Sequence, residues 1–193
     1  IPLSNLVQVT PESVDLTIDD VHNSRYSYAG SKIFGELLFL SYQKMGLDVR
    51  IVRPHNVYGP RMGFNHVVPQ VIERIYKKEN PFKIYGHSQT RAFCYIDDAI
   101  NAFEIIMNNN DCSGKIIHLG TDEETPIIDL VHELFHISEY HPDYILVDPP
   151  EGSVNRRCPD ITLLKNIGYK PKTNLHTGLM LSYAWYLKHY NKK

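Results

Sequence analysis

Two side chains raise the question of what this sequence could do. In Ser27-Tyr28-Ala29-Gly30-Ser31-Lys32 a tyrosine precedes a lysine at the i, i+4 spacing. On a helix that spacing brings both onto one face, within reach of a common ligand. A free phenol has a pKa of roughly 10 and is a poor base at neutral pH. An ammonium group beside it favours the phenolate. Such a tyrosine could take a proton from a substrate hydroxyl while a hydride leaves the same carbon. The plain alternative is two surface residues, because the pattern is short and the chain has 13 tyrosines. Tyr26 lacks the spacing and reads as a packing residue.

A second pattern competes. His132-Glu133-Leu134-Phe135-His136 has the form His-Glu-x-x-His, which on a helix can present two zinc ligands and a general base. Ile128, Val131, Leu134 and Phe135 form the apolar side of that helix, leaving both histidines and Glu133 around a more polar side. His141 is the one conceivable third ligand. The expectation is therefore a solvated helix face and no metal. The three cysteines, Cys94, Cys112 and Cys158, are too far apart for a zinc pair and odd in number. Cys94 sits in the run Ala92-Phe93-Cys94-Tyr95-Ile96, where a buried thiol is expected.

Composition narrows the class. The chain has 193 residues, 42% hydrophobic and 22% charged, with a formal net charge of −2, which suits a globular protein and gives no general affinity for nucleic acid. No run approaches the roughly 20 apolar residues that span a bilayer. The thiol pattern suits a reducing, cytoplasmic setting.

The elements that must position these groups alternate. A helix is predicted from about Tyr28 to Met45, stopped by Gly46, with Ile33, Leu37, Leu40 and Tyr42 near one side. A buried strand follows over 48–53, ended by Pro54. Further helices are predicted over 66–78, 97–107, 127–138 and 175–190, and strands over 82–85, 115–119 and 144–147. Residues 1–24 read as a surface connection. Helix and strand in alternation mark an α/β chain with a parallel sheet. No Gly-x-Gly-x-x-Gly occurs, so nothing here would cradle a dinucleotide pyrophosphate.

After Lys32 come Glu36, then Arg53-Pro54-His55-Asn56-Val57-Tyr58-Gly59-Pro60-Arg61, then Val68-Pro69. The run Ile84-Tyr85-Gly86-His87-Ser88-Gln89-Thr90-Arg91-Ala92-Phe93-Cys94-Tyr95-Ile96-Asp97-Asp98-Ala99 is next, then His118-Leu119-Gly120 and Arg156-Arg157-Cys158-Pro159-Asp160-Ile161. In this order and spacing the series resembles the NAD-dependent epimerase/dehydratase family of extended short-chain dehydrogenases/reductases, over nearly all of residues 10–190.

That resemblance implies a partial Rossmann-type parallel sheet with a smaller C-terminal α/β substrate-binding domain. Residues 1–60 would belong to the NAD-binding part and 61–193 mainly to the nucleotide-sugar-binding part, with a segment near 92–119 returning to the sheet. It implies that Tyr28 is the acid/base and that Lys32 also holds the nicotinamide ribose, with Pro54 and His55 near the nicotinamide. Asn56 falls on the sugar-phosphate side, Arg91 and Arg157 on phosphate or ribose, Val68 and Tyr85 at the nucleobase. The simpler readings are a strand terminator for Pro54, core packing for Tyr85, solvated charges for Arg61 and Arg156, and a salt bridge to Asp97 or Asp98 for Arg91. The cofactor implied is NAD and the partner a nucleotide sugar, with no nucleic acid or membrane and with homodimers of the full-length protein. The first-choice reaction is 4-epimerisation through a transient keto-sugar. Decarboxylation of a UDP-uronic acid, 4,6-dehydration, or mere binding by a non-catalytic fragment are the alternatives. The glycine-rich half and the Ser/Thr that joins the tyrosine and lysine would lie upstream of Ile1, so this chain alone is expected to bind NAD poorly.

Overall fold

A computed structural model describes residues 9–18, 20–24, 26–150 and 153–190. In chain order the elements are α1 (Tyr26–Lys44), β1 (Ile51–Pro54), β2 (Val57–Tyr58), α2 (Val67–Tyr76), β3 (Phe82–Tyr85), β4 (Thr90–Ala92), β5 (Cys94–Tyr95) and α3 (Ile96–Asn108). After a 3₁₀ turn at Asn110–Cys112 come β6 (Ile116–Leu119), β7 (Glu124–Pro126), α4 (Ile127–Ile137), β8 (Tyr144–Val147), β9 (Arg156–Arg157), α5 (Thr162–Asn166) and α6 (Leu175–Tyr190).

The α/β class holds. β1 runs parallel to β6, β2 to β5 and β3 to β8, and β4 lies between β7, antiparallel, and β9, parallel. The longer elements fall within a few residues of their sequence-predicted bounds. The strand expected over 48–53 is shifted, to 51–54, because pairing with β6 begins only at Ile51↔Ile116.

Two apolar clusters hold these pieces. In the larger, α2 contributes Val68, Val71, Ile72 and Ile75, and α4 contributes Leu130, Val131, Leu134 and Phe135. The α2 set recurs at i, i+3, i+4, i+7, and the α4 set does the same once Ile127 is counted as its first member, the one-face pattern of a helix packed on a core. Tyr58, Phe82, Ile84, Leu179 and Tyr186 complete it. The smaller cluster joins Ala99, Ala102 and Ile106 of α3 to Ile117 and Leu119 of β6 and to Ile161, Leu164 and Tyr169. Asp98, 3% exposed, fastens the strap before α6: its two oxygens accept from the backbone N–H of Lys172 (3.0 Å) and Thr173 (2.9 Å).

Helix α1 differs from the rest, for none of its described residues is buried. Its end is sharply made. Gly46 sits at φ +96°, its N–H bonds Gln43 O at 2.9 Å and the Leu47 N–H bonds Tyr42 O at 3.3 Å. That is a Schellman closure, which needs the left-handed residue glycine supplies. The apolar side expected from Ile33, Leu37, Leu40 and Tyr42 is not covered by a core: Leu37 is 60% and Phe34 65% exposed.

Candidate active-site cleft

The Tyr/Lys pair forms as its spacing requires. On α1 the Lys32 Nζ lies over the Tyr28 ring, 5.3 Å from its centroid, in cation–π range. Ser31 Oγ donates to Tyr28 O at 2.7 Å, inside the same turn. Tyr28 is 71% exposed and opens onto a cleft of about 930 Å³. Tyr28, Lys32, Pro54, His55, Asn56 and Arg157, all singled out from the sequence, line this one cleft.

The cleft floor comes from β1 and the two residues after it. The His55 N–H bonds Leu119 O at 2.8 Å, extending the β1–β6 pairing, and its ring meets that of His118 edge-on at 4.5 Å. Burial, with the neighbouring His118, Arg157 and Arg53, pushes the His55 imidazole down to about 3, so the ring is neutral at ordinary pH. Burial lowers His118 too, against the opposing pull of Glu12. His55 Nε2 and His118 Nδ1 are buried and have no hydrogen-bond partner among the described residues. Asn56 adopts φ 41°, a conformation few non-glycine residues accept, and its Nδ2 donates to Ala92 O at 3.2 Å. Its side chain thus serves the β4 edge while its backbone turns the chain out of β1.

The cleft's far wall is built around β4 and β9. Their parallel register sets Arg91 opposite Arg157. Partners in register project from the same face, so two guanidinium groups are neighbours there. Arg91 does not reach Asp97 or Asp98, so the salt bridge considered for it does not form. Its Nη1 donates to Thr90 O (2.7 Å) and Asn155 O (3.2 Å), its Nη2 to Val154 O (2.6 Å) and Gln89 Oε1 (3.3 Å). All four acceptors are neutral, and the Asp98 carboxylate is committed elsewhere. Burial and the Arg157 charge lower Arg91 to about 10. Arg91 stands behind the cleft wall, which Val154 and Arg157 form. Arg156, in contrast, is fully engaged by Glu124, at 2.7–3.0 Å.

The remaining sequence candidates fall outside the cleft lining. Val68 is 1% exposed in the larger core. Tyr85 is half-exposed, its ring 5.9 Å from the Arg74 guanidinium. The His-Glu-x-x-His helix is a solvated face: Glu133 pairs with His176 Nδ1 at 2.5 Å, and the His132 ring lies 5.3 Å from that of Tyr144. No group of three or more His, Cys, Asp or Glu side chains suited to a metal occurs among the described residues. Cys94, Cys112 and Cys158 are buried and free, and burial raises Cys94 to about 11. No helix of the described residues is long and apolar enough to cross a membrane.

Sequence reasoning assigned no role to His118, which shares the floor, or to the bidentate pair of Arg53 with Glu36, at 2.8 and 2.7 Å. A signal for the latter existed. Glu36 continues the Tyr28, Lys32 spacing by one more turn, so it had to share their face.

The sequence and this geometry match known proteins. A sequence model described as the NAD dependent epimerase/dehydratase family matches residues 7–120. A UDP-N-acetyl-alpha-D-glucosaminuronate decarboxylase of Bacillus cytotoxicus is 34% identical over 173 residues, 84% of this chain and 53% of that protein. The crystal structure of a UDP-glucuronic acid 4-epimerase from Bacillus cereus, in complex with UDP-glucuronic acid and NAD, superposes with a TM-score of 0.77 at 27% identity, over 83% of this chain and 52% of that one. The UDP-glucose 4-epimerase of Thermotoga maritima, solved with UDP-glucose, gives 0.82 at 26% identity, over 97% and 60%. The chain spans about half the length of the curated relatives it matches.

Proposed function

The chain belongs to the NAD dependent epimerase/dehydratase family, and on that premise we propose that it carries the catalytic pair and the nucleotide-sugar side of an enzyme that epimerises a nucleotide sugar at C4. The observation that carries this reading is one cleft lined both by the Tyr28–Lys32 pair and by Arg157, with Arg91 in register beside Arg157.

The residues fit the nicotinamide end of NAD. The cleft beside Tyr28 and Lys32 is roomy, and His55 and His118 offer it two buried ring nitrogens in want of partners. They do not fit the pyrophosphate end, for which the sequence has no glycine-rich loop. NAD, whose nicotinamide end Lys32, Pro54 and His55 would hold, would supply hydride acceptance and donation at the sugar carbon. The chain does the rest. Tyr28 Oη accepts the proton of the C4 hydroxyl and gives one back to the keto oxygen once the sugar has presented its other face. Lys32 favours the phenolate and holds the nicotinamide ribose. Arg157 and Arg91 receive the diphosphate, whose charge relieves two guanidinium neighbours. Asn56 lies on the sugar-phosphate side, and Val68 and Tyr85 toward the base. Residues 1–60, with the return segment 92–119, serve the cofactor side and the remainder the nucleotide side. The full-length protein works as a homodimer in this reading.

The full-length protein, with NAD, is to be incubated with a panel of UDP-, dTDP- and GDP-sugars and the products separated. Interconversion of a C4 epimer pair is the expected result. Release of CO₂ from a UDP-uronic acid would establish the second reading, which the 34% identity to a decarboxylase favours. A 4-keto-6-deoxy product would establish dehydration. No turnover by a folded protein, with UDP still bound, would leave only a binding module.

A further inference from the structure

Glu36 is the single carboxylate among the described residues lining the cleft, against the cations Lys32, Arg50, Arg53, Arg156 and Arg157. It stands one helical turn beyond Lys32, the spacing at which lysine and glutamate ordinarily pair on a helix surface. Here they do not, and Lys32 makes no ion pair with a described residue. Both Glu36 oxygens are instead held by Arg53, Nε to Oε1 at 2.8 Å and Nη2 to Oε2 at 2.7 Å, with the two side chains only 15% and 14% exposed. The fork is itself anchored, since Arg53 Nη1 donates to Glu12 O at 3.0 Å while Glu12 Oε1 takes the His118 N–H at 3.0 Å. A planar guanidinium on a strand fixes a carboxylate in two places, which a lysine cannot do.

We propose that Arg53 is a positioning residue: by occupying both oxygens of Glu36 it keeps the only carboxylate among the described cleft residues off the Lys32 ammonium, leaving that charge whole for the Tyr28 phenol. This rests on the reading of Tyr28 and Lys32 as the acid/base pair. The titratable and charged groups that line the cleft with the pair are Tyr26 and Glu36 on α1, Arg50 just before β1, Arg53 on β1, His55 and His118 from the floor, and Arg156 and Arg157 from β9. His55 is neutral, and Arg156 is engaged by Glu124. Glu36 is thus the group whose release would alter the field at the phenol most.

The test is a titration of the full chain labelled with [¹³Cζ]tyrosine, the Tyr28 resonance being identified by its loss in Tyr28→Phe. Arg53→Met should move the Tyr28 midpoint upward by about one pH unit, the scale on which an adjacent charge acts. Arg53→Met with Glu36→Gln should return it to the parent value. Lys32→Met should also raise it, and in that background Arg53→Met should add nothing further. If Lys32→Met leaves the midpoint unmoved, the pair reading itself fails. If Lys32→Met raises it but folded Arg53→Met does not, the role of Arg53 alone is overturned. A full Arg53→Met shift persisting without Lys32 would show a direct field and overturn it too. Should Arg53→Met not fold, Arg53→Lys, which loses the fork but keeps the charge, carries the test with a smaller upward shift. No shift there overturns the proposal.

Discussion

Helices α2, α4 and α6 on one side and α1 on the other are built from similar residue types but stand in different surroundings. The first three bury whole apolar faces against each other and against Phe82 and Ile84. Gly178 of α6 lies so close to the Tyr58 ring that a Cβ there would come within 2.8 Å of Cζ, and closer still to the hydroxyl. Helix α1 carries Phe34, Leu37 and Phe39 with more than half of each exposed, yet it also carries Tyr28 and Lys32. Packing specifies the first group. What fixes α1 to β1 is polar: the Arg53–Glu36 fork. The α2–α4–α6 region is therefore held by core burial and the α1–β1 region by a few directional bonds.

That contrast can be broken or sharpened by experiment. The largest effect is expected at an exposed residue, Tyr28. Tyr28→Phe in the full-length protein should lower kcat about 10³-fold, within the range for loss of a general acid/base, while changing stability by less than about 0.5 kcal/mol. Steady-state kinetics and urea denaturation of the same preparation check both halves. Next, Leu130→Ala in the larger core should cost about 3 kcal/mol in urea unfolding, since a fully buried leucine leaves a cavity. A loss below about 1 kcal/mol would mean that the two regions are not held so differently.

A smaller effect comes from His55. Its folded-state value of about 3 lies below the ordinary 6.5. As pH falls through 6.5 the unfolded chain takes up a proton that the folded chain refuses, so stability declines from there toward about pH 3. Between pH 6.5 and 5 the expected loss from this residue is about 1–2 kcal/mol, and His55→Phe should flatten the slope of the urea midpoint against pH. The smallest effect belongs to Phe34→Ala, expected within about 0.5 kcal/mol for this chain because that ring has little core to leave. A loss of 2 kcal/mol or more would show that α1 is packed after all.

The same contrast decides how much was legible in the sequence. The faces of α2 and α4 could be read from their spacing because burial follows periodicity. The ends of α1, β3 and β6 could be read because Gly46, Gly86 and Gly120 mark them. The pairs β2–β5 and β7–β4–β9 were not seen: two or three residues carry no period, and these strands exist through partners distant in sequence. Helix α1 shows a periodic apolar side, but periodicity records what a helix can pack against and not whether the partner is among the described residues. Within the site, Tyr28, Lys32, Pro54, His55, Asn56 and Arg157 come together as the order of motifs implied. For Arg91 the simpler reading, a salt bridge to Asp97 or Asp98, is the one that does not form. Carbonyl dipoles from Thr90, Val154 and Asn155 satisfy its N–H groups without cancelling its charge.

That arrangement of Arg91 reaches beyond the cleft wall. Hydrogen bonding and electroneutrality are separate requirements, and here only the first is met from within. None of the four acceptors around Arg91 carries a charge, so the balancing of that guanidinium falls to ions outside those contacts. An anion bound beside it would displace such ions into bulk water, and its hold would loosen as ionic strength rises.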